Sequence, residues 1–278
     1  MTEGFCRVNG LRIHYRRSGG SGPPVVLCHG ATDDGSCWFP LMNPWSEAFD
    51  LVAPDARGHG RSDPGDGDYG SDVRLADLLG LITTLKLDRP VLVGHSMGAE
   101  SALRCALEHP DRCRGLVLED PVLLRPGRPM FGGPWGGFAE GHRRGFQRLL
   151  RLYRGLPDGP ARLLARISNP RFPRRDIPSW VDSKRLLSED YRRTIPRIGA
   201  ADFSDITRLE DLKCRTLLFI GERRRGAILD ITDLPEILGS RPEIRVVQVP
   251  KADHNIRRCA PAQYRRILDE YLKTFTVS

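Results

Sequence analysis

The chain has 278 residues, 40% hydrophobic and 28% charged, the make-up of an ordinary folded protein, which excludes a disordered one. A chain this long folds without disulfides or a structural metal. Its formal charge of +8 is unevenly held: Pro121 to Ala200 carries sixteen Arg and one Lys against six acids, a local +11, which leaves the remainder near −3.

That imbalance comes without zinc-finger spacing or an RNA-binding aromatic signature, so nucleic acid is not an expected partner. No apolar run approaches the ~18 residues of a membrane helix. The opening Met1-Thr2-Glu3-Gly4 lacks a basic stretch followed by an apolar one, so no secretory leader is expected. Seven cysteines, at 6, 28, 37, 105, 113, 214 and 259, are irregularly spaced and form no Cys-x-x-Cys. They predict reduced thiols in a cytoplasm, and no zinc site.

In chain order, Leu11 to Tyr15 alternates in and out like an edge strand of an antiparallel hairpin. Pro24 to Cys28 is a short continuous apolar run, as in a strand buried on both faces, and Leu51 to Pro54 is a second. Asp72 is placed to cap a helix carrying Leu75, Leu78, Leu79, Ile82 and Leu85 on one side. Strands at Val91–Val93 and Leu116–Leu118 flank a helix over Met97–His109. After Pro121 the rhythm breaks: a Gly/Pro-rich stretch from Arg125 to Gly137 leads into basic helical pieces such as Phe146 to Tyr153. Strands resume at Leu217–Ile220 and Ile244–Val249, and a helix over Gln263–Phe275 follows. Strand–helix alternation predicts an α/β fold: a mostly parallel sheet flanked by helices, with a helical cap inserted between two strands. The expected division is a core of residues 1–120 and 204–278 with a cap of 121–203.

Gly94-His95-Ser96-Met97-Gly98 is a Gly-x-Ser-x-Gly pattern between a strand and a helix. The bare pattern is weak; its position is informative, because a sharp strand–turn–helix exposes the Ser96 hydroxyl at the top of the sheet. Gly94 and Gly98 are expected where side chains would collide with backbone. Earlier, Cys28-His29-Gly30-Ala31 follows a strand, and its N–H groups can turn toward Ser96. An oxyanion hole then draws on Met97 and Ala31. His29 lies on that side and is read as structural or pocket-lining rather than as the base. The base is expected after the last strand, at His254. The orienting acid has three candidates. The usual place after the strand at 215–220 holds Glu222 followed by Arg223-Arg224-Arg225; Glu119 and Asp120 end the preceding strand. Asp120 is preferred, because one helix and one strand after Ser96 return the chain to the same sheet edge.

Together, the His-Gly loop at 29–30, Pro54 to Ser62, the elbow, Glu119-Asp120-Pro121 and the His254 loop resemble the α/β-hydrolase family over essentially the whole chain. Asp68-Tyr69-Gly70-Ser71-Asp72, Leu92 to Ala99 and Leu116 to Val122 are most similar to the subgroup that includes N-formylmaleamate deformylase. That resemblance implies a triad acid at Asp120. It also implies a serine hydrolase for a small ester, lactone or amide, working through an acyl-enzyme without cofactor or metal. Thioester hydrolysis on a carrier protein, carbon–carbon bond hydrolysis and a non-catalytic binding role are the alternatives; Ser96 excludes the members with an Asp nucleophile. The charge of the cap suggests an anionic substrate, with at least one cap arginine facing the cleft above Ser96.

Overall fold

Eight strands form one sheet in the order β1-β2-β4-β3-β5-β6-β7-β8. The computed structural model describes residues 1–124, 140–194, 204–234 and 241–276. In sequence the strands are β1 (Thr2–Val8), β2 (Leu11–Arg17), β3 (Pro24–Cys28), β4 (Asp50–Pro54), β5 (Val91–His95), β6 (Gly115–Glu119), β7 (Arg215–Ile220) and β8 (Ile244–Gln248). From β4 onward every pairing is parallel, while β1, β2 and β4 are joined antiparallel.

The apolar strands are continuous runs because both of their faces are covered. Val26, Val52, Leu92, Leu116, Leu118 and Leu218 face one core, shared with α2 (Ser71–Thr84) and α3 (Met97–Glu108). Their neighbours Val25, Leu51, Val91, Val93, Val117, Leu217 and Phe219 face the other. That side is closed by α1 (Phe39–Trp45) and, after the short α8 (Ile256–Cys259), by α9 (Pro261–Lys273). Truncating one of these leucines to alanine would cost about 2–5 kcal/mol.

Two expectations need correction. β2 is not an edge strand: it pairs with β1 on one side and β4 on the other, and Thr2–Val8 forms the edge. Asp72 does not cap α2. Gly70 holds the cap position and Asp72 lies in the first turn, 2.7 Å from Arg104 Nη1, where a carboxylate still complements the helix dipole.

Between β6 and β7 the described residues contain no named strand, but four helices: α4 (Glu140–Gly155), α5 (Asp158–Ser168), α6 (Ile177–Leu186) and α7 (Glu189–Thr194). The Gly/Pro-rich stretch from Arg125 to Gly137 lies outside the described residues. The insertion leaves and returns through a narrow neck, where Leu124 N–H donates to Ser204 O at 2.9 Å and Ile206 N–H to Leu124 O at 2.8 Å.

Candidate active site

β5 and β6 run in register to their last residues, His95 opposite Glu119, and each strand then leaves the sheet through a residue with positive φ. Ser96 has φ 50° and ψ −114°, a conformation that costs a non-glycine residue about 1–3 kcal/mol. It is held there by its N–H, which donates to Glu119 O at 3.1 Å, and by α3, which starts at Met97. The flanking glycines are required. A Cβ on Gly98 would stand 2.4 Å from Cys28 O, and one on Gly94 2.4 Å from Gly98 O, both backbone atoms that cannot move aside.

Asp120 follows with φ 41°. Its carboxylate accepts Ile228 N–H at 2.8 Å and Leu229 N–H at 3.1 Å, and lies 2.7 Å from His254 Nδ1. The aspartate is fully buried, and these three donors satisfy its carboxylate. Burial alone would lower the His254 pKa, but the Asp120 hydrogen bond and charge outweigh it and raise it above the ordinary 6.5. With the Nδ1 proton committed to Asp120, Nε2 is the nitrogen left to act as a base.

The other acid candidates are engaged elsewhere. Glu119 holds Arg257 through its backbone N–H and its Nη1, both at 2.9 Å. Glu222 accepts Lys251 N–H, Arg224 Nε–H and Arg225 Nε–H, each at 3.0 Å; with Arg224 foremost these donors lower its pKa to about 2. So the structure brings Asp120 and His254 together at the sheet edge where Ser96 sits. A Ser96–His254 hydrogen bond is not among those formed by the described residues.

Met97 is the first residue of α3, so its N–H has no carbonyl a turn earlier inside the helix. Ala31 lies in a turn closed by Asp33 N–H donating to Gly30 O at 3.0 Å, and no acceptor takes its own N–H among the described residues. His29 accepts Ala56 N–H at Nε2 and donates from Nδ1 to Gly30 O, both at 2.9 Å, the structural role expected of it.

Two histidines have contacts that the sequence did not reveal. The His95 ring lies tilted against the His254 ring, centroids 4.6 Å apart, and donates from Nε2 to His254 O at 3.0 Å. Burial, with Arg257 nearby, holds its pKa well below 6.5, so it is a neutral neighbour of His254. His59 lies with Nε2 2.9 Å from Ala31 O. Beside the elbow, Met97 packs with Tyr69, Leu150, Leu187 and Tyr191, three of them from the insertion, and Tyr191 Oη donates to Met97 Sδ at 3.3 Å.

No hydrogen bond or ion pair among the described residues joins an arginine of the insertion to Asp120 or His254. Arg151, Arg154, Arg192 and Arg193 instead line a cavity of about 260 Å³ between α4 and α7, which Ser96 does not reach. Arg125, Arg128 and Arg197 lie outside the described residues, as do the side chains of Arg143 and Arg144, so the expected arginine above Ser96 is not tested by these. The described residues also contain no cluster of side chains able to hold a metal ion.

Residues 25–266 match the model of the alpha/beta hydrolase family. The chain belongs to that family. It is 29% identical over 264 residues to N-formylmaleamate deformylase of Pseudomonas putida, covering 92% of this chain and 91% of the relative. It is 39% identical over 104 residues to 2-(acetamidomethylene)succinate hydrolase of Mesorhizobium japonicum, covering 37% of each chain. Among solved structures it superposes on N-formylmaleamic acid deformylase from Pseudomonas putida S16 with a TM-score of 0.78 at 24% identity, covering 96% of this chain and all of the other. E-2-(acetamidomethylene)succinate hydrolase gives 0.77 at 24%, over 98% and 100%. These relatives are hydrolase enzymes. No described helix is long and apolar enough to cross a membrane.

Proposed function

We propose that this alpha/beta hydrolase is a serine hydrolase that cleaves a small ester, lactone or amide through an acyl-enzyme, an amide of an unsaturated acid being the first class to try. The reading rests on one observation: the Asp120–His254 pair, at 2.7 Å, stands at the sheet edge that presents strained Ser96. Ser96 Oγ attacks the carbonyl carbon while His254 Nε2 takes its proton. The tetrahedral oxyanion is met by the Ala31 and Met97 N–H groups, each worth roughly 10²–10³ in rate in such sites. His254 returns the proton to the leaving amine or alcohol. Water, deprotonated by the same nitrogen, then releases the acid, and Asp120 holds the imidazole tautomer throughout. The amide preference comes from the names of the relatives, a deformylase and an acetamido-acid hydrolase.

In this reading residues 121–203 act as a cap that shapes the pocket, the neck at Leu124 and Ser204 being its boundary. The described cysteines are all unpaired, which suits a reducing cytoplasm. The arginine-lined cavity between α4 and α7 favours a second reading, a thioesterase that receives an acidic carrier protein. A fluorophosphonate probe should label wild type and not Ser96→Ala. On a panel of esters, lactones, amides and carrier thioesters the variant should lose about 10³-fold or more in turnover while staying folded. Full activity in folded Ser96→Ala would end the serine-hydrolase reading, and a non-catalytic protein would ignore the probe.

A further inference from the structure

Beside the Ala31 turn a carboxylate and three cations are buried, and the proposed reaction uses none of them. Asp33 is 3% exposed and carries four charge-assisted hydrogen bonds. Lys184 Nζ donates to Oδ1 at 3.2 Å and Arg258 Nη2 at 3.1 Å. Arg257 Nη2 and Arg258 Nη1 each donate to Oδ2 at 2.9 Å. The cations rest on aromatic faces: Lys184 lies 3.4 Å from the Trp180 ring centroid and Arg257 4.5 Å from that of Trp38. Arg257 is shared with Glu119. Of the neighbouring acids, Asp34 turns its carboxylate to Ser36 N–H at 2.9 Å, and Asp176 lies 3.7 Å from Arg175.

The partners of Asp33 come from two separate parts of the chain. Lys184 belongs to helix α6 of the insertion. Arg257 and Arg258 follow His254 by three and four residues. Asp33 itself ends the turn that carries Ala31, and the three carbonyls before it in that turn are all occupied. Gly30 O accepts from Asp33 N–H and His29, Ala31 O lies against His59 Nε2, and Thr32 O accepts Lys184 Nζ at 2.8 Å. Apolar residues of similar volume would stabilise a core at least as well as buried ions do. What the ions add is fixed direction, and an oxyanion donor needs its position set to about 0.5 Å.

We propose that Asp33 and Lys184 are positioning residues: the buried Asp33 carboxylate, gripped by Lys184 from the insertion and by Arg257 and Arg258 from helix α8 just after His254, fixes the Gly30–Asp33 turn so that Ala31 N–H meets the oxyanion. The inference rests on the serine-hydrolase reading above. Lys184 is the informative residue to change. Lys184→Met removes the clamp on Thr32 O but keeps a long chain on Trp180. It also leaves Arg257 and Arg258 balanced by Asp33 and Glu119.

The test is the second-order rate of fluorophosphonate labelling of Ser96 against pH, with melting temperature as the check on folding. Lys184→Met should label about 10–100-fold more slowly, the loss expected of a misplaced donor, with the same pH midpoint as wild type, because the His254–Asp120 pair is untouched. Lys184→Gln, which keeps a donor for Thr32 O, should recover part of the rate, and it carries the comparison if Lys184→Met does not fold. Folded variants labelled within twofold of wild type would overturn the proposal. So would a slowed rate with a shifted midpoint, which would place the effect at the base. Wild type that ignores the probe would instead defeat the serine-hydrolase reading, and this inference with it.

Discussion

Three N–H groups converge on the Asp120 carboxylate, and they set what a change of one atom there does. Asp120→Asn tolerates the positive φ, since asparagine visits that region, but its amide nitrogen must face a donor. The imidazole then loses its tautomer and its counter-charge, so turnover should fall by about 10³–10⁴-fold, nearly as far as in His254→Ala. Glu222→Gln should stay close to wild type, because that carboxylate is occupied by Lys251, Arg224 and Arg225. The reverse ranking would move the acid to β7. In the proposed reaction the same pair sets the pH profile. His254 must be neutral to accept a proton and Asp120 raises its pKa, so activity should climb with pH through a midpoint above 6.5. Asp120→Asn keeps the burial but loses the raising partner, which should move the midpoint down. The stability term has the opposite slope: the fold favours protonated His254, a contribution complete below pH 6.5 and lost as pH rises through the raised value. At this scale the placing of Ser96, His254 and Asp120 at one sheet edge was legible because each ends a strand or follows one. The Asp33–Lys184 contact was not, since nothing local in a sequence signals a pair 151 residues apart.

The elbow glycines belong to the β5–turn–α3 element and show how tightly it is wedged against β3. Gly98→Ala would drive a methyl group into Cys28 and His29 backbone. The expected cost is about 3 kcal/mol, a fall of roughly 5–10 °C in melting temperature, with labelling of Ser96 slowed in whatever stays folded. Calorimetry that found Gly98→Ala as stable as wild type would show that the elbow can back away from β3. Elements with continuous apolar runs were the readable ones. β1 escaped notice because Thr2–Val8 exposes most of its residues and has no two-sided burial to imprint a pattern. α2 was read correctly in its apolar face but not at its start, since a carboxylate in the first turn has much the same sequence signature as a cap.

The whole molecule is a mildly acidic core carrying a strongly basic insertion, and their arrangement predicts a salt response. If the field of the insertion draws in an anionic substrate, KM for an acid should rise as ionic strength increases from 10 to 500 mM, while KM for its neutral methyl ester should hardly change. Parallel salt curves for the two would leave the arginines as solvated surface. The charge asymmetry was plain in the sequence, but its address was not. Several arginines of the insertion are spent on partners within it: Arg185 donates to Tyr153 O at 3.1 Å and Leu156 O at 2.7 Å, and Arg192 donates to Glu189 at 2.5 Å. Composition counts charges; it cannot say which are already neutralised.

Because Ile228 serves Asp120 through its main-chain N–H, the site constrains the path of the chain after β7 but not the half-buried side chain at that position. Such a position drifts freely under mutation yet has one forbidden letter. A saturation library at 228 selected for activity should return almost every amino acid and reject proline, the one residue without an N–H to give. A search for catalytic side chains would pass over it, because its indispensable atom is a backbone one that nineteen of the twenty amino acids share.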